Sequence, residues 1–476
     1  MDLESLVYKY KLIMEVEQEG QAGMTRRYPE EIQAWWDKIG KPKLVVAPMV
    51  DASELAWRAL SRRYNAQLCF TPMFHSRIFS EDPKYRAENF FNIIDPKDRP
   101  LIVQFCGNDP KTVAKAAEFV KDYCDAVDIN LGCPQAIAKK GHYGAYLQNE
   151  WDLVSRIVKE VRSVVKIPVT CKIRVFEDVQ KTINYAKMIV ESGCFMLTVH
   201  GRTIHQKGPL TGLANWSYIK AVRDAINIPM LANGNIQYLQ DVWRCIEETG
   251  VDGVLSAEGN LQNPAIFKGI NPPVWDVALE YLELVNTYPC PLSYSRGHLF
   301  KLFHHLLVNE EGKDLRDRLA TASYMSDLLE MTHLLKSRFE PYLTGEKTPS
   351  KELLQNLPLP PWLCQPYVRP PPYVPPIEPK PPKRLDPVLS NKMKKRLLRN
   401  PRFKVVKKDP NSLKLCRLCQ NPQGLKCEFQ FCKKCCRLKC KAEDIDCPGH
   451  KCFIKSNRIK AQEWLQRQQA TATIIN

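Results

Sequence analysis

The chain has 476 residues, 44% of them hydrophobic, and a formal net charge of +17 at pH 7. A chain of this length is expected to form two or more domains, because a single hydrophobic core rarely grows so large. The positive charge favours a polyanionic partner such as nucleic acid. No apolar run reaches the ~18 residues that span a bilayer, and Asp2, Glu4, Glu15 and Glu17 are unlike a secretory signal. We therefore expect a protein of the cytoplasm, the nucleus or both, with reduced cysteines and no membrane partner.

Residues 1–40 are predicted to be an N-terminal extension. From 41 to 285, strand-like and helix-like segments alternate, which predicts an α/β fold, a (β/α)8 TIM barrel of the usual ~250 residues. A doubly wound sheet is the alternative, but no Gly-x-Gly-x-x-Gly follows the first strand. The predicted strands are Leu44–Pro48, Gln67–Phe70, Leu101–Phe105, Ala126–Asn130, Val169–Ile173, Met196–His200, Met230–Ala232 and Gly253–Ser256.

Functional side chains follow these strands. Because a TIM barrel carries its chemistry at the carboxyl ends of its strands, we expect them to line one pocket. Considered alone, His200 could be a satisfied histidine of the hydrophobic core, and Lys172 could be an ordinary surface lysine. Cys133 stands between Gly132 and Pro134, which end regular structure, although a single cysteine is more often a buried hydrophobe. The strand-end residues are Met49, Gln104, Asn130, Lys172, His200, Asn233 and the turn 257–259.

Five motifs at the strand ends resemble, in this order, the tRNA-dihydrouridine synthases, flavin enzymes that reduce uridine in transfer RNA. The resemblance covers about residues 44–345. Glu54–Arg58 and Gly141–Gly144 are similar to the eukaryotic class that acts on D-loop positions 16 and 17. The five motifs are Ala47-Pro48-Met49, Asp128–Pro134, Cys171–Arg174, Val199–Thr203 and Ala232–Asn235.

This resemblance implies FMN at the barrel mouth, reduced by NADPH or NADH, since no side chain donates a hydride. A cation beside the pyrimidine end of the flavin would stabilise its anionic reduced form, and Lys172 is implied there. Glu258 stands where relatives often carry arginine, which favours backbone amides as phosphate ligands. The residues implied at the ring are Ala47, Pro48, Met49, Gln104, Lys172 and His200, and those implied near the phosphate are Asn233, Gly234, Asn235, Ala257 and Glu258.

The resemblance also makes Cys133 the general acid that protonates C5 of uracil after hydride reaches C6. An ordinary thiol is protonated at neutral pH, as a donor must be. The target base has to flip out of the folded RNA, and Asn130 is expected to orient its edge. Lys139 and Lys140 are candidate phosphate contacts, and the alternative is a solvated pair of lysines on a loop.

Residues 286–345 are predicted to be helical and correspond to the family's tRNA-binding domain, with Arg296 as a candidate RNA contact. A bundle that only caps the barrel is the alternative. Residues 346–415 are predicted to be a disordered linker, rich in proline and then basic, with thirteen Lys or Arg and two Asp between 380 and 414. Such a block typically binds nucleic acid, and Lys392–Arg399 also suits a nuclear-import signal. We expect a monomer.

Nine of the eighteen cysteines lie between Cys416 and Cys452, which predicts a zinc-binding module over residues 416–452, followed by a helix or tail over 453–476. With His450 there are ten candidate ligands, enough for two ions with Cys440 and Cys452 to spare. The spacing resembles small cysteine and histidine fingers of certain plant transcription regulators. Such modules bind RNA, DNA or protein, and the basic block favours RNA. The predicted ligands are Cys416, Cys419, Cys427, Cys432, Cys435, Cys436, Cys447 and His450.

Two other functions compete with a tRNA-dihydrouridine synthase. A small-molecule flavoprotein of the pyrimidine or dihydroorotate type would reduce free bases, and it would leave the charge and the metal module without a role. A non-catalytic RNA-binding protein on a degenerate barrel would bind no flavin. The intact Cys133, Lys172 and His200 argue against the latter.

Overall fold

The computed structural model describes residues 27–91, 94–208, 211–367, 414–419, 421, 423–424, 426–459 and 462–463. The chain divides into two compact units, Met1–Pro375 and Pro376–Asn476. Most of the basic block and the candidate import signal lie outside the described residues, as does the extension before residue 27. No helix among the described residues is both long and apolar enough to cross a membrane.

The first unit contains the predicted barrel. Eight parallel strands pair in a ring, which closes because β2 pairs with both β1 and β4. A short ninth strand, β3, extends the ring beside β4. The strands are β1 Leu44–Val46, β2 Leu68–Phe70, β3 Phe74–His75, β4 Leu101–Cys106, β5 Ala126–Leu131, β6 Val169–Arg174, β7 Met196–His200, β8 Met230–Asn233 and β9 Gly253–Ser256.

Strand β3 was not predicted, and its origin is local. Pro72 has no N–H to donate, so it interrupts the strand that β2 begins and β3 resumes. At the gap, Gln104 N donates to the hydroxyl of Thr71 (3.1 Å), which replaces a missing backbone partner. The interruption lies at the barrel mouth, next to the loops that carry the candidate site.

Helices surround the barrel and begin at polar caps where the sequence provides them. Asp109 and Asp178 accept hydrogen bonds from the backbone of Thr112 (2.8 Å) and Gln180 (2.8 Å), which satisfies the free N–H groups of the first turns. The helices are α1 Glu30–Lys38, α2 Leu55–Arg63, α3 Ser76–Glu81, α4 Pro83–Asn89, α5 Pro110–Val120, α6 Ala136–Gly141, α7 Trp151–Val164, α8 Val179–Glu191, α9 Trp216–Ala225, α10 Leu239–Thr249 and α11 Glu258–Gln262.

Helix α1, from the predicted extension, packs at the amino ends of the strands. The indole N–H of Trp35 donates to the carbonyl of Asp125, just before β5 (3.1 Å). The Tyr28 hydroxyl hydrogen-bonds Asp252, just before β9, and accepts from Arg223 (2.6 Å). The described part of the extension therefore covers the end of the barrel that carries no chemistry.

A second hydrophobic core joins the helical region to the barrel. It includes Trp57 and Leu60 of α2 together with helices that follow the last strand. The helix Val274–Thr287, which was predicted to belong to the barrel part, packs in this second core. The helices are α12 Val274–Thr287, α13 Leu292–Leu302, α14 His304–Leu307, α15 Lys313–Thr321, α16 Met325–Leu343 and α17 Lys351–Leu354.

The predicted linker begins too early, since residues 346–367 pack against the first unit. Trp362 and Cys364 are 5% and 1% exposed within the second core. The Trp362 carbonyl accepts from Val274 N (2.9 Å), and Cys364 N donates to the Pro272 carbonyl (2.9 Å). Proline composition predicts an extended chain, but it does not prevent such a chain from burying an aromatic ring.

The second unit is small. Its helix α18, Lys433–Glu443, precedes an antiparallel hairpin of β10 Asp446–Cys447 and β11 Cys452–Phe453. Four cysteines form most of its buried cluster: Cys427, Cys436, Cys440 and Cys447. A core this small cannot maintain a fold without a further constraint such as a metal.

Candidate active site and metal centres

Three predicted residues meet at the carboxyl ends of neighbouring strands. Lys172 of β6 donates from Nζ to Oδ1 of Asn233 at the end of β8 (2.9 Å), and the Asn233 amide donates to the Leu255 carbonyl (3.0 Å). His200 ends β7 between them, in register with Asn233. The closed barrel thus brings together side chains that are 61 residues apart in the chain.

The charges of this group are set by burial. Burial, and after it the nearby Arg174, lowers the pKa of Lys172 to about 8, which leaves the ammonium charged at pH 7. Burial, with the cations Lys172, Arg174 and Arg202, holds the pKa of His200 well below its usual value. Arg202 donates to Nε2 of His200 (3.1 Å), which requires a neutral ring with its proton on Nδ1. The site therefore places one neutral imidazole among three cations.

A chain of hydrogen bonds leads from the middle of the barrel to the cysteine loop. Asp128 of β5 is fully buried and accepts from the Thr170 hydroxyl (2.6 Å) and from Nε2 of Gln104 (2.8 Å). The Gln104 carbonyl oxygen then accepts from Nδ2 of Asn130 (2.8 Å). The Asn130 carbonyl oxygen in turn accepts from the backbone N–H of Cys133 (2.9 Å) and of Gly132 (3.2 Å).

This relay has only one consistent orientation. Burial raises the pKa of Asp128 to about 6. The orientation is fixed from the other end of the relay, because the backbone N–H groups of Gly132 and Cys133 can only donate to the Asn130 oxygen. Gln104 must therefore turn its amide nitrogen toward Asp128, and Asn130 must do the same toward Gln104. Asp128 and Thr170, which the sequence did not single out as site residues, thus fix the amide that holds the loop of Cys133.

The loop of Cys133 is also held from its other side. The Cys133 carbonyl accepts from Ala145 N (3.1 Å), and a Cβ added to Gly144 would lie 2.8 Å from that carbonyl oxygen. Gly144 has a φ of +66°, so both conformation and space require glycine there. The partly exposed Cys133 packs beside Cys106 and Tyr143 and lies near enough to Lys172 to affect its charge.

A cavity of about 750 Å³ opens beside these residues, a volume typical of small-molecule sites. Arg174, Arg202 and Lys207 contribute cationic side chains to its lining, and the sequence did not single them out as site residues. Arg174 is the last residue of β6, and Arg202 and Lys207 follow β7. Their position at the carboxyl ends of these strands was the sequence signal that could have identified them. Six predicted residues line the same cavity: His200, Asn233, Gly234, Asn235, Ala257 and Glu258.

The turn after β8 is shaped to keep this cavity open. Gly234 has a φ of +111°, and an added Cβ would lie 2.6 Å from Cβ of Ala214 and 3.1 Å from the His200 ring. The Asn235 amide is occupied by Arg202 (3.0 Å) and by the backbone of Ala214 (2.8 and 2.9 Å), so its side chain holds the loop. Asn235 therefore has a structural role in addition to being a candidate cofactor ligand.

Other predicted site residues lie elsewhere. Ala47, Pro48, Met49, Gln104, Lys172 and Cys133 are at strand ends of the same mouth but outside the lining of this cavity. Lys139 and Lys140 are exposed on the short helix α6 that follows the loop of Cys133. Arg296 donates to the Ala322 carbonyl (2.9 Å) inside the helical region, so at least part of its guanidinium serves an internal contact.

The segment that was predicted to be linker forms another wall of the cavity. Pro358, Pro366 and Tyr367 belong to its lining, together with Glu258 on the first turn of α11. The Pro366 carbonyl bonds the ring of His305 (3.2 Å), and Tyr367 packs edge-on against His304 at 4.8 Å. This contribution could not be predicted from the proline-rich composition.

Comparison with known proteins places this geometry in a family. Residues 45–327 match the family model described as dihydrouridine synthase. The chain belongs to the dihydrouridine synthase family. A mouse protein named tRNA-dihydrouridine(16/17) synthase [NAD(P)(+)]-like is 48% identical over 90% of this chain and 92% of its own length. The fission yeast tRNA-dihydrouridine(16/17) synthase is 45% identical over 71% of this chain and 90% of its own.

A more distant member is the human tRNA-dihydrouridine(20a/20b) synthase [NAD(P)+]-like protein, which is 37% identical over 60% of this chain. The similarity to the (16/17) proteins is thus both higher and longer. The region that matches the family model, residues 45–327, comprises the barrel and part of the helical region that follows it.

The second unit of this dihydrouridine synthase contains two sets of four candidate metal ligands. In each set, one ligand atom from each residue lies within 4.8 Å of the others. All eight predicted ligands are included, and Cys440 and Cys452 belong to neither set. The sets are Cys416, Cys419, Cys432 and Cys435, and Cys427, Cys436, Cys447 and His450.

The distances within the sets suit zinc. A tetrahedral ion with Zn–S bonds of about 2.3 Å separates its ligands by about 3.8 Å. The sulfur of Cys419 lies 3.5 Å from that of Cys432 and 3.4 Å from that of Cys435, and Cys447 Sγ lies 3.8 Å from Nδ1 of His450. The adjacent Cys435 and Cys436 serve different sets, so helix α18 would connect both ions.

Proposed function

We propose that this chain is an FMN-dependent tRNA-dihydrouridine synthase that reduces the C5=C6 bond of uridines 16 and 17 in the D loop of tRNA. The observation that carries the proposal is that Cys133, Lys172 and neutral His200 meet at one barrel mouth in a chain of this family. Relatives of 45 and 48% identity bear the (16/17) name, which supports the choice of positions.

The donor set at the mouth fits FMN. Arg174, Arg202 and Lys207 make one side of the cavity cationic, and this charge suits a phosphate although their nitrogens also hold neighbouring loops. The partly desolvated Lys172 suits the electron-rich end of a reduced flavin. When bound there, FMN reduced by NADPH or NADH would supply the hydride that reaches C6. Gly234 lines this cavity, where a side chain would collide with Ala214 and the ring of His200. Because Glu258 is an anion, we expect it to lie beside the phosphate-binding groups rather than among them.

Cys133 supplies the proton to C5 in this proposal. Its thiol is partly exposed at the mouth, and its backbone is held by Asn130 through the relay from Asp128. Held on both sides, the loop keeps the sulfur in one place while the base enters, which is what proton transfer to a carbon requires. With its amide engaged in this way, Asn130 acts mainly through the loop, and orienting the uracil edge is secondary.

The tRNA would present a flipped uridine to this mouth. Lys139 and Lys140, exposed on α6 directly after the loop, are placed to meet phosphates next to that base. Two zinc ions in the second unit would complete the protein, held by the two sets of four ligands.

The test is Cys133→Ala in flavin-loaded enzyme. We expect bound FMN and its reduction by NADPH to stay normal, while dihydrouridine at positions 16 and 17 falls by about 100-fold or more. Cys106→Ala, a buried thiol packed nearby, is the matched control and should keep most of the activity. Normal tRNA reduction by Cys133→Ala would refute the acid role, and turnover of free uracil or orotate would favour a small-molecule enzyme.

A further inference from the structure

The outer face of helix α18 carries a row of cations that metal binding does not explain. Lys434, Arg437 and Lys441 recur at helical spacing, so they share one face, with Leu438 between them. All four side chains are exposed, and Leu438 is 61% exposed. We call Lys434, Arg437, Leu438 and Lys441 the basic stripe.

The opposite face of the same helix is fixed from within. Cys436 and Cys440 are fully buried there, and Cys436 belongs to one of the metal sets. Lys439, which lies off the stripe, pairs with Glu443 (2.6 Å) and stands over the ring of Phe429. The helix can therefore present the stripe only outward, and its direction is set by the metal ligands.

Among the described residues of the second unit, no acidic side chain forms an ion pair with the stripe. Within the described part of the second unit, no carboxylate oxygen lies within 4.0 Å of a side-chain nitrogen of Lys434, Arg437 or Lys441. The acidic groups nearby are engaged elsewhere: Glu443 by Lys439, Asp444 by Arg458, and Asp446 by the backbone of Ser456 (3.2 Å).

Zinc thiolates would not cancel the stripe. Residues 414–459 contain eleven Lys or Arg and four Asp or Glu, a balance of +7. Seven thiolates and two zinc ions would add about −3, because each bound cysteine loses its proton. That negative charge lies on the ligand side of α18, where Cys435 and Cys436 are, and the outer face stays cationic.

We propose that the basic stripe of α18 is a binding surface for the phosphate backbone of the tRNA substrate. Three cations along two turns of a rigid helix suit successive phosphates, and the exposed leucine between them suits a sugar or base face. This proposal rests on the proposed function for its choice of RNA. It adds a second RNA contact, in the zinc module, that is independent of the catalytic mouth.

The experiment compares full-length, flavin- and zinc-loaded enzyme with the variant K434Q/R437Q/K441Q. Dissociation constants for unmodified tRNA are measured between 50 and 200 mM KCl. Each lost phosphate contact should lower the slope of log affinity against log salt by about 0.9, hence by about 2.7 for three. Over this fourfold change in salt, the variant should gain about 40-fold less affinity on dilution than the wild type.

The matched control is K115Q/K159Q/K187Q, which removes the same charge from the outer barrel helices α5, α7 and α8. Its slope should change by less than about one unit. The charge-keeping variant K434R/R437K/K441R should bind as the wild type does. If the triple variant loses zinc, R437Q alone, with a slope change of about 0.9, replaces it.

An unchanged slope in zinc-replete K434Q/R437Q/K441Q would overturn the proposal, leaving the stripe as a solvated face or a site for an acidic protein. An equal loss in the barrel control would overturn it as well, since the effect would then be one of net charge. Dihydrouridine formation by the wild-type preparation is scored separately. Failure of that reaction would refute the proposed function, whereas a normal reaction with an unchanged slope would refute only the stripe.

Discussion

The two units of this protein hold their functional residues in place by different means. In the first, Asp128, Gln104 and Asn130 are fixed by burial in a barrel whose strands already pair, so the hydrogen bonds need no ligand. In the second, the residues in position to bind metal are themselves most of the core. The barrel site can therefore form before a cofactor binds, whereas a module with so small a core would need the metal ions that we propose for it.

Removing zinc should give the largest difference between the units. Structural zinc contributes about 10–16 kcal/mol to the folding of small domains, more than the whole stability of most of them. A zinc chelator should therefore unfold residues 414–459, seen as loss of amide protection and rapid proteolysis there. The thermal transition of the barrel should stay unchanged.

The helix α18 offers a matched pair for this prediction. Cys436 and Cys440 are both fully buried, one helical turn apart, but only Cys436 belongs to a ligand set. Cys436→Ser should reduce zinc from two ions per chain to one, while Cys440→Ser should keep two. Equal zinc contents in the two variants would show that the ligands are assigned wrongly.

In the first unit, Trp362→Ala should be strongly destabilising although it lies in the segment predicted to be a linker. Removing a buried tryptophan costs about 3–5 kcal/mol, and Trp362 is 5% exposed in the second core. Trp243→Ala is the control, because Trp243 is 41% exposed and its loss should cost under about 0.5 kcal/mol. Thermal unfolding of the full chain measures both, and equal costs would mean that residues 346–367 are the linker predicted from the sequence.

The structure shows which features the sequence could predict and which it could not. The strands were predictable because runs of Val, Ile and Leu end at polar residues in a regular α/β alternation. The two groups of candidate metal ligands were predictable because cysteine spacing is local. The packing of Trp362 was not predictable, because a proline-rich composition does not indicate which distant part of the fold an aromatic ring will pack against. Asp128 begins one of the five motifs, but its contacts with Gln104 and Thr170 exist only in the closed barrel.

The relay predicts a loss of activity that a second substitution restores. In Gln104→Glu, two carboxylates would meet where the Gln104 nitrogen now donates to Asp128, and separating them would displace Asn130, whose oxygen accepts from Cys133 N. A misplaced acid costs on the order of 100-fold, so tRNA reduction should fall that much while FMN content and its reduction by NADPH persist.

The double variant Asp128→Asn/Gln104→Glu exchanges the amide and the carboxylate and keeps every hydrogen bond of the relay. It should recover at least a tenth of the wild-type rate, which is about tenfold above the single variant. Asp128→Asn alone should stay within about tenfold of the wild type, because its oxygen can accept from Gln104 while its nitrogen donates to the Thr170 hydroxyl. If the double variant is no better than Gln104→Glu, the hydrogen-bond pattern of the relay does not control the position of Cys133.

The smallest expected effect is a change with pH at Lys172. Burial and Arg174 lower its pKa to about 8, so the ammonium is present at pH 7 and is lost as the pH rises through 8. If this cation stabilises reduced flavin, reduction of bound FMN by NADPH should slow a few-fold between pH 7 and pH 9. Following that half-reaction excludes any contribution from Cys133, which acts only on the RNA. Lys172→Met should be slower throughout and lack this step, and a step of the same size in Lys172→Met would assign the titration to another group.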